Sequence, residues 1–254
     1  MTALEVIGLA GVPLIKAGDD LVELIASAIE RSGVALRASD VLVVAQKIVS
    51  KAEGRVVDLA TVEPSARALK LAAEIDKDPR LVEVILSESV RIVRARRGIL
   101  IVEHKLGFIM ANAGVDQSNV GPADGFQRVL LLPEKPDASA EALRHGLKAR
   151  TKTDLAVVIN DSFGRPWRQG TVGVAIGVSG LPAAVDLRGR PDLFGRKLEV
   201  SVIGFADEVA AAASLLMGQA GEALPAVLIR GLSWSAPEST AASLVRPPNE
   251  DLFR

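Results

Sequence analysis

The chain has 254 residues, a formal net charge of −1, 49% hydrophobic residues, no Cys, no Tyr and only two His. The apolar fraction excludes a disordered chain, and the length allows one large domain or two modest ones. The missing residue types exclude a disulfide frame, a thiolate metal centre, a cysteine nucleophile and a His-rich transition-metal site, so any metal here is expected on oxygen ligands, as Mg²⁺, Mn²⁺ or Ca²⁺.

In chain order, Asp20 and Glu23 form a capping-box pattern ahead of an apolar face at Leu21, Leu24, Ile25, Ala28 and Ile29, and Gly33 fits the stop. The apolar, β-branched run Val41–Val49 predicts a buried strand. Pro64–Ile75 and Pro79–Ser89 read as two helices, and Val90–Ala95 with Ile99–Glu103 as a hairpin about Arg96-Arg97-Gly98. Ala138–Ala149 has a helical pattern, and Leu155–Asn160 reads as a second buried strand. Gly170–Gly180 is β-branched but carries four glycines, which predicts a strand or loop closely approached by another backbone or a ligand. Leu198–Phe205 reads as a strand, Asp207–Met217 as an Ala-rich packed helix, and Ala226–Ile229 as a further strand. Helices and strands mix without strict alternation, so the expected class is α+β, with mixed sheets and packed helices, rather than a doubly wound sheet. The chain reads as a single unit over 1–254, with an internal boundary between two packed lobes at Pro133–Asp137.

Balanced charge and few aromatics argue against a nucleic-acid partner. The N-terminus lacks the basic segment of a signal peptide, and no run reaches the roughly 18 apolar residues of a membrane span. The expectation is a soluble cytoplasmic protein with no membrane partner.

Four polar clusters interrupt the apolar runs. The first, Gly11–Lys16 with Gly18-Asp19-Asp20, reads locally as a turn into a helix. The second, Gln46–Arg55, follows a buried strand; its Lys47, Lys51 and Arg55 suit either a phosphate grip or a solvated strand end. In the third, Gly107–Asn119, small residues interleave with amides and Asp116, which suits a plain loop or a backbone folded round an ion. The fourth, Asn160–Gly170, places Asp161 and Ser162 directly after a buried strand, followed by Arg165, Trp167 and Arg168, a pattern similar to a metal-plus-phosphate site. No P-loop and no GxGxxG is present, and His104 and His145 lack catalytic surroundings, so both read as structural or solvated.

Together these clusters resemble the coenzyme F-420 gamma-glutamyl ligases. The resemblance is carried by GVPLIKAGDDL (11–21), VVAQKIVSKAEGR (43–55), GFIMANAGVDQSN (107–119), NDSFGRPWRQGTVGVAIG (160–177), DLRGRPDLFGR (186–196), ADEVAAAASLLMGQAGEALP (206–225) and VLIRG (227–231). It covers nearly the whole chain, in the form without a nitroreductase-like domain. It implies the family's unusual α+β fold, a homodimer, and GTP-dependent addition of L-glutamate to coenzyme F-420-0, then of further gamma-linked glutamates. It implies two Mg²⁺ or Mn²⁺ ions, with K⁺ as a helper. By motif, the nucleotide would meet Val12, Pro13, Leu14, Ile15, Gln46, Lys47, Lys51, Asn119 and the segment Met217, Gly218, Gln219, Ala220, Gly221, Glu222, Ala223 and Leu224. One metal would sit on Asp116 and Asp161, the other on Ser162 and Gln219, with Lys51, Asp116 and Asp161 as the catalytic group.

The chemistry of these residue types agrees. Forming an amide requires a good leaving group on the carboxylate, and phosphorylation by the GTP gamma-phosphate makes an acyl phosphate that an amine can attack. Metals bridging the phosphates neutralise the charge that builds. Lys51, Arg165 or Arg168 suits phosphate or the glutamate carboxylates. With so few aromatics, a deazaflavin would be held mainly by its phosphate and carboxylate tail, Trp167 or Phe163 being the exceptions. Two alternatives stay open: a nucleotide-dependent amide ligase for another carboxylate, or a non-catalytic nucleotide-binding homologue.

Overall fold

A computed structural model describes residues 3–120 and 127–251, the side chain of Arg165 excepted. In chain order the elements are β1 (Glu5–Gly8), α1 (Leu21–Ser32), β2 (Val41–Ala45), α2 (Gln46–Ala52), β3 (Val56–Asp58), α3 (Ala66–Ile75), α4 (Pro79–Ser87), β4 (Ser89–Arg96), β5 (Ile99–His104), β6 (Ile109–Ala111) and β7 (Arg128–Leu130). They continue with α5 (Pro136–Thr151), β8 (Ala156–Arg165), β9 (Arg168–Ser179), β10 (Val185–Asp186), β11 (Val202–Ile203), α6 (Phe205–Met217) and β12 (Ala226–Arg230). The helix signals act as expected: the Asp20 side chain accepts from Glu23 N at 3.2 Å, and Gly33 closes α1 in the left-handed region at φ 67°.

A five-stranded sheet, ordered β1-β12-β2-β8-β9, organises the chain. Only β2 and β8 run parallel; their neighbours pair antiparallel, which makes the class α+β. Strand alternation sends Leu42, Val44, Val157 and Ile159 to one face, where they pack with α1 and α5 through Ile25, Ile29, Leu143 and Leu147. Val41, Val43 and Val158 face the other way and meet Ala206, Val209, Ala210 and Ala213 of α6. A third core gathers Leu71 and Ile75 of α3, Val82 and Ile85 of α4, and Leu100 and Val102 of β5. No described helix is long and apolar enough to cross a membrane.

Two expectations are corrected. The run Val41–Val49 is a strand only to Ala45; α2 begins at Gln46. Ile48 and Val49 remain buried, but on the inner face of a helix, and a short buried run has no period that separates the two states. Within Leu198–Phe205 only Val202–Ile203 pairs, with β10, and Phe205 already opens α6. Val200 is 85% exposed, so this segment lacks the buried face a longer strand needs. Strand β1 was not foreseen, since its pairing to β12 supplies what its four residues lack locally.

The glycines of β9 meet the expectation of a close backbone approach. A Cβ on Gly173 would collide with the Ala210 carbonyl oxygen of α6, and one on Gly177 with the Pro136 carbonyl oxygen of α5. Both helices therefore press their backbones onto the same strand. Gly173→Ala is expected to cost about 1–3 kcal/mol by overpacking, read as a lower denaturation midpoint at unchanged m-value.

Candidate active site

The site lies where the parallel pairing of β2 and β8 ends. The last parallel partners are Ala45 and Asn160. The chain leaves β2 directly into α2, which carries Lys47 and Lys51, while β8 continues through Asp161 and Ser162 against β9. A crevice at the carboxyl ends of parallel strands is where open sheets place ligands.

Asp116 arrives from a distant segment. Its N–H donates to Leu130 O at 3.0 Å, and its carbonyl accepts from Leu130 N at 2.8 Å, which fastens it beside β7. The turn just before it has two non-glycine residues in the left-handed region, Asn112 at φ 51° and Ala113 at φ 53°. Such residues cost on the order of 1–3 kcal/mol each and collect at functional segments.

The Lys47 ammonium lies 2.6 Å from Asp116 Oδ2 and also donates to Ser118 Oγ at 2.6 Å. Ser118 N donates to Asp116 Oδ1 at 2.7 Å. Burial raises the Asp116 carboxyl, but these bonds outweigh it and hold the group below the usual range. Lys51 Nζ donates to Asn119 O at 2.6 Å, and Asn119 Nδ2 donates to Ala220 O at 3.0 Å. Burial first, then the neighbouring Lys47 charge, lowers the Lys51 ammonium from its ordinary value.

Asp161 behaves differently. Burial pushes its carboxyl up to about 7; the Ser162 N–H, donating at 2.8 Å, opposes this, the Asp116 charge adds to it, and Lys47 opposes it. Two carboxylates this close are short of positive charge. On the opposite face of β8, Ser162 Oγ donates to Gln219 Oε1 at 2.9 Å.

These bonds join four distant segments: α2, residues 116–119, β8, and the loop from α6 to β12. That loop depends on Gly218, at φ 66° and ψ −167°, a region essentially reserved for glycine. A Cβ there would meet the Glu222 carboxylate, whose Oε2 accepts from Ala220 N at 2.8 Å. Ala45 N donates to Pro225 O at 2.8 Å, so Leu224 and its neighbours return to the head of α2.

The other foreseen residues fall around this centre. Val12 packs half-buried on the sheet core, Ile15 is buried, and Pro13 and Leu14 are exposed. Their loop is tied to the end of α2 by Gly18 N donating to Ala52 O at 2.9 Å. Gln46 is buried, its Oε1 accepting from Ser50 Oγ at 2.9 Å. Met217 faces the core, where its sulfur accepts from Asn160 Nδ2 at 3.3 Å. Gly221 and Ala223 are exposed loop residues. Arg168 and Trp167 stand exposed at the β8–β9 hairpin tip, whereas Phe163 packs edge-on to Phe108 with centroids 5.7 Å apart. His104 is buried and accepts from Leu106 N through Nδ1, a structural role; His145 is exposed on α5. Ser118 was not singled out in the sequence, although Asp-x-Ser is an Asx-turn signal that its bonds to Asp116 now express.

Comparison with known proteins finds relatives along the whole chain. Residues 11–231 match the family model described as F420-0:Gamma-glutamyl ligase. The chain is 47% identical over 253 residues to the coenzyme F420:L-glutamate ligase of Methanothermobacter thermautotrophicus, covering 99% of each chain. It is 45% identical over 262 residues to the protein of that name from Methanopyrus kandleri, covering all of both chains. It is 42% identical over 252 residues to that from Methanocaldococcus jannaschii, covering 98% of this chain and 96% of the relative. With the match spanning every segment that meets at the site, the chain belongs to the F420-0:gamma-glutamyl ligase family.

Proposed function

We propose that the protein is a GTP-dependent ligase that adds L-glutamate to coenzyme F-420-0 and then further gamma-linked glutamates, acting in the cytoplasm as a homodimer. The observation that carries this reading is the meeting of Asp116 and Asp161, from distant segments, beside two lysines, with the Ser162–Gln219 pair on the other face of β8. The names of the relatives support the substrates.

The site suits divalent cations. Asp161 is pushed up because it is buried near a second carboxylate, and the Lys47 ammonium already takes the place of a positive charge against Asp116. Among the described residues no three His, Cys, Asp or Glu side chains gather, so neutral oxygens, phosphate or water must complete the coordination. Asp116 and Asp161 would hold one Mg²⁺ or Mn²⁺, and Ser162 and Gln219 the other; such ions neutralise charge on the transferring phosphoryl group. K⁺ would act as a further counter-charge.

Lys47 and Lys51 bind the phosphates, and Asn119 with residues 217–224 and 12–15 encloses the rest of the nucleotide. A carboxylate oxygen of the acceptor attacks the gamma-phosphorus and GDP leaves. The glutamate amine then attacks the acyl carbon, phosphate leaves, and the nitrogen gives up its proton to form the amide. The exposed tip Leu193-Phe194, 98% and 95% exposed, supports a second copy as the partner that covers it.

Incubation with F-420-0, GTP, Mn²⁺ and glutamate is expected to yield products that increase in mass by successive single glutamates. GTP hydrolysis without addition would instead assign another carboxylate as acceptor. Positional isotope exchange from labelled carboxylate into phosphate tests the acyl phosphate, and no label transfer would remove that step.

A further inference from the structure

A cavity of about 200 Å³ opens beside the site, on the face of β8 that carries Asp161. Residues 160–164 pair with β9 without a shift in register, so Asp161 and Phe163 point to the same face, about 7 Å apart along the strand. Phe163 lines the cavity with Phe108, and Val245 closes it from the C-terminal segment. The wall is apolar except for two carboxylates, Asp207 from the first turn of α6 and Asp251, and the guanidinium of Arg246. Val245 is packed closely over Gly107, since a Cβ on that glycine would lie 3.1 Å from Val245 Cγ1, so the C-terminal segment is a fitted wall.

Asp207 is half-buried. Its Oδ1 accepts from Ala175 N at 2.9 Å, and among the described residues its Oδ2 has no hydrogen-bond partner. Burial raises this carboxyl above its ordinary range, a cost that a cation in the cavity would offset. A half-buried acid with a free carboxylate oxygen suits neither phosphate nor a polycarboxylate tail. Beside an arginine, in a space this small, it suits a molecule with an ammonium at one end and a carboxylate at the other.

We infer that this cavity is the seat of the incoming amino acid, with Asp207 holding its amino group as the ammonium and Arg246 a carboxylate. This assignment rests on the ligase reading above. Val174, the β9 partner of Asp161, lines the same cavity, so the assignment sets the amine beside the strand pair that carries Asp161 and makes Asp207 and Arg246 residues that select an α-amino acid over a plain dicarboxylate.

The test uses D207N, R246A and R246K in the full chain. D207N keeps the oxygen that accepts from Ala175 N, and Arg246 is exposed, so each variant is expected to unfold at the wild-type temperature. D207N and R246A should each raise the KM for L-glutamate by about tenfold or more, with the KM for GTP unchanged. R246K should recover part of the loss. Glutarate, which lacks the amine, should inhibit the wild type far more weakly than its carboxylates alone predict, and D207N should narrow that gap. Wild-type KM for glutamate in both D207N and R246A overturns the assignment while leaving the ligase reading intact. Absence of glutamate addition by the wild-type protein overturns the ligase reading itself.

Discussion

Asp161→Asn is expected to lower metal-dependent turnover by at least about 100-fold, since even residues that only orient metal ligands cost 10–100-fold when lost. Asn keeps the side-chain oxygen that accepts from Ser162 N, so local backbone geometry is preserved. Circular dichroism should therefore match the wild type. Full activity in this variant would remove Asp161 from the site. A pH effect accompanies it. The folded carboxyl ionises at about 7, above its unfolded value of about 4, so the folded state binds more protons between these limits. The stability of the protein without divalent metal should fall as pH rises from about 4 to about 7, and stay low above that. Asparagine cannot ionise, so this contribution to the slope should vanish in the variant, while added Mn²⁺ should reverse it in the wild type by favouring the carboxylate. Thermal melts at several pH values, with and without Mn²⁺, read both effects.

The second large effect lies far from the chemistry. Asp40 is fully buried between α1 and β2, and Arg230 at the end of β12 is 9% exposed. Arg230 donates from Nε and Nη2 to the two carboxylate oxygens of Asp40, both at 2.8 Å, and from Nη2 to Ala35 O at 2.7 Å. Arg37 N donates to Asp40 Oδ2 at 2.8 Å. The pair clips the α1–β2 connection to the sheet. Asp40→Ala would remove the bidentate partner of a buried guanidinium and leave it the exposed Glu5 carboxylate 3.9 Å away, at a cost of about 3–5 kcal/mol. For a chain of this length that is a drop in Tm of about 10 °C. Below that temperature kcat should be unchanged. Asp40→Leu combined with Arg230→Met should recover much of the loss, because it removes both charges and their desolvation together. A wild-type Tm in Asp40→Ala would show that the pair contributes nothing to stability.

The elements that could be read in advance are those whose signals are local. Asp20 with Glu23 and Gly33 bounded α1, Pro79 opened α4, and Arg96-Arg97-Gly98 turned the β4–β5 hairpin. The elements misread depend on partners. Val41–Val49 changes from strand to helix at Gln46, because its β-branched residues are buried in either state. Leu198–Phe205 has strand composition but only two residues with a partner. Strand β1 exists because β12 offers it an edge.

The candidate site divides in the same way. Composition was enough to exclude thiol and His-rich metal chemistry, since those depend on residue types that are absent or scarce. The order of long motifs was enough to indicate the family, and the whole-chain matches bear that out. No local pattern could place Asp116 against Lys47, Asn119 against Ala220, or Ser162 against Gln219, because these partners lie 57 to 101 residues apart for the bonds recorded among them, and only packing closes such distances. The elevated ionisation of Asp161 is likewise a property of the folded chain: it arises from burial beside a second carboxylate, and an isolated strand offers neither. Residue chemistry thus set which reactions the chain could support, and tertiary packing decided where the charges meet, because desolvation and Coulomb interaction act through space rather than along the sequence.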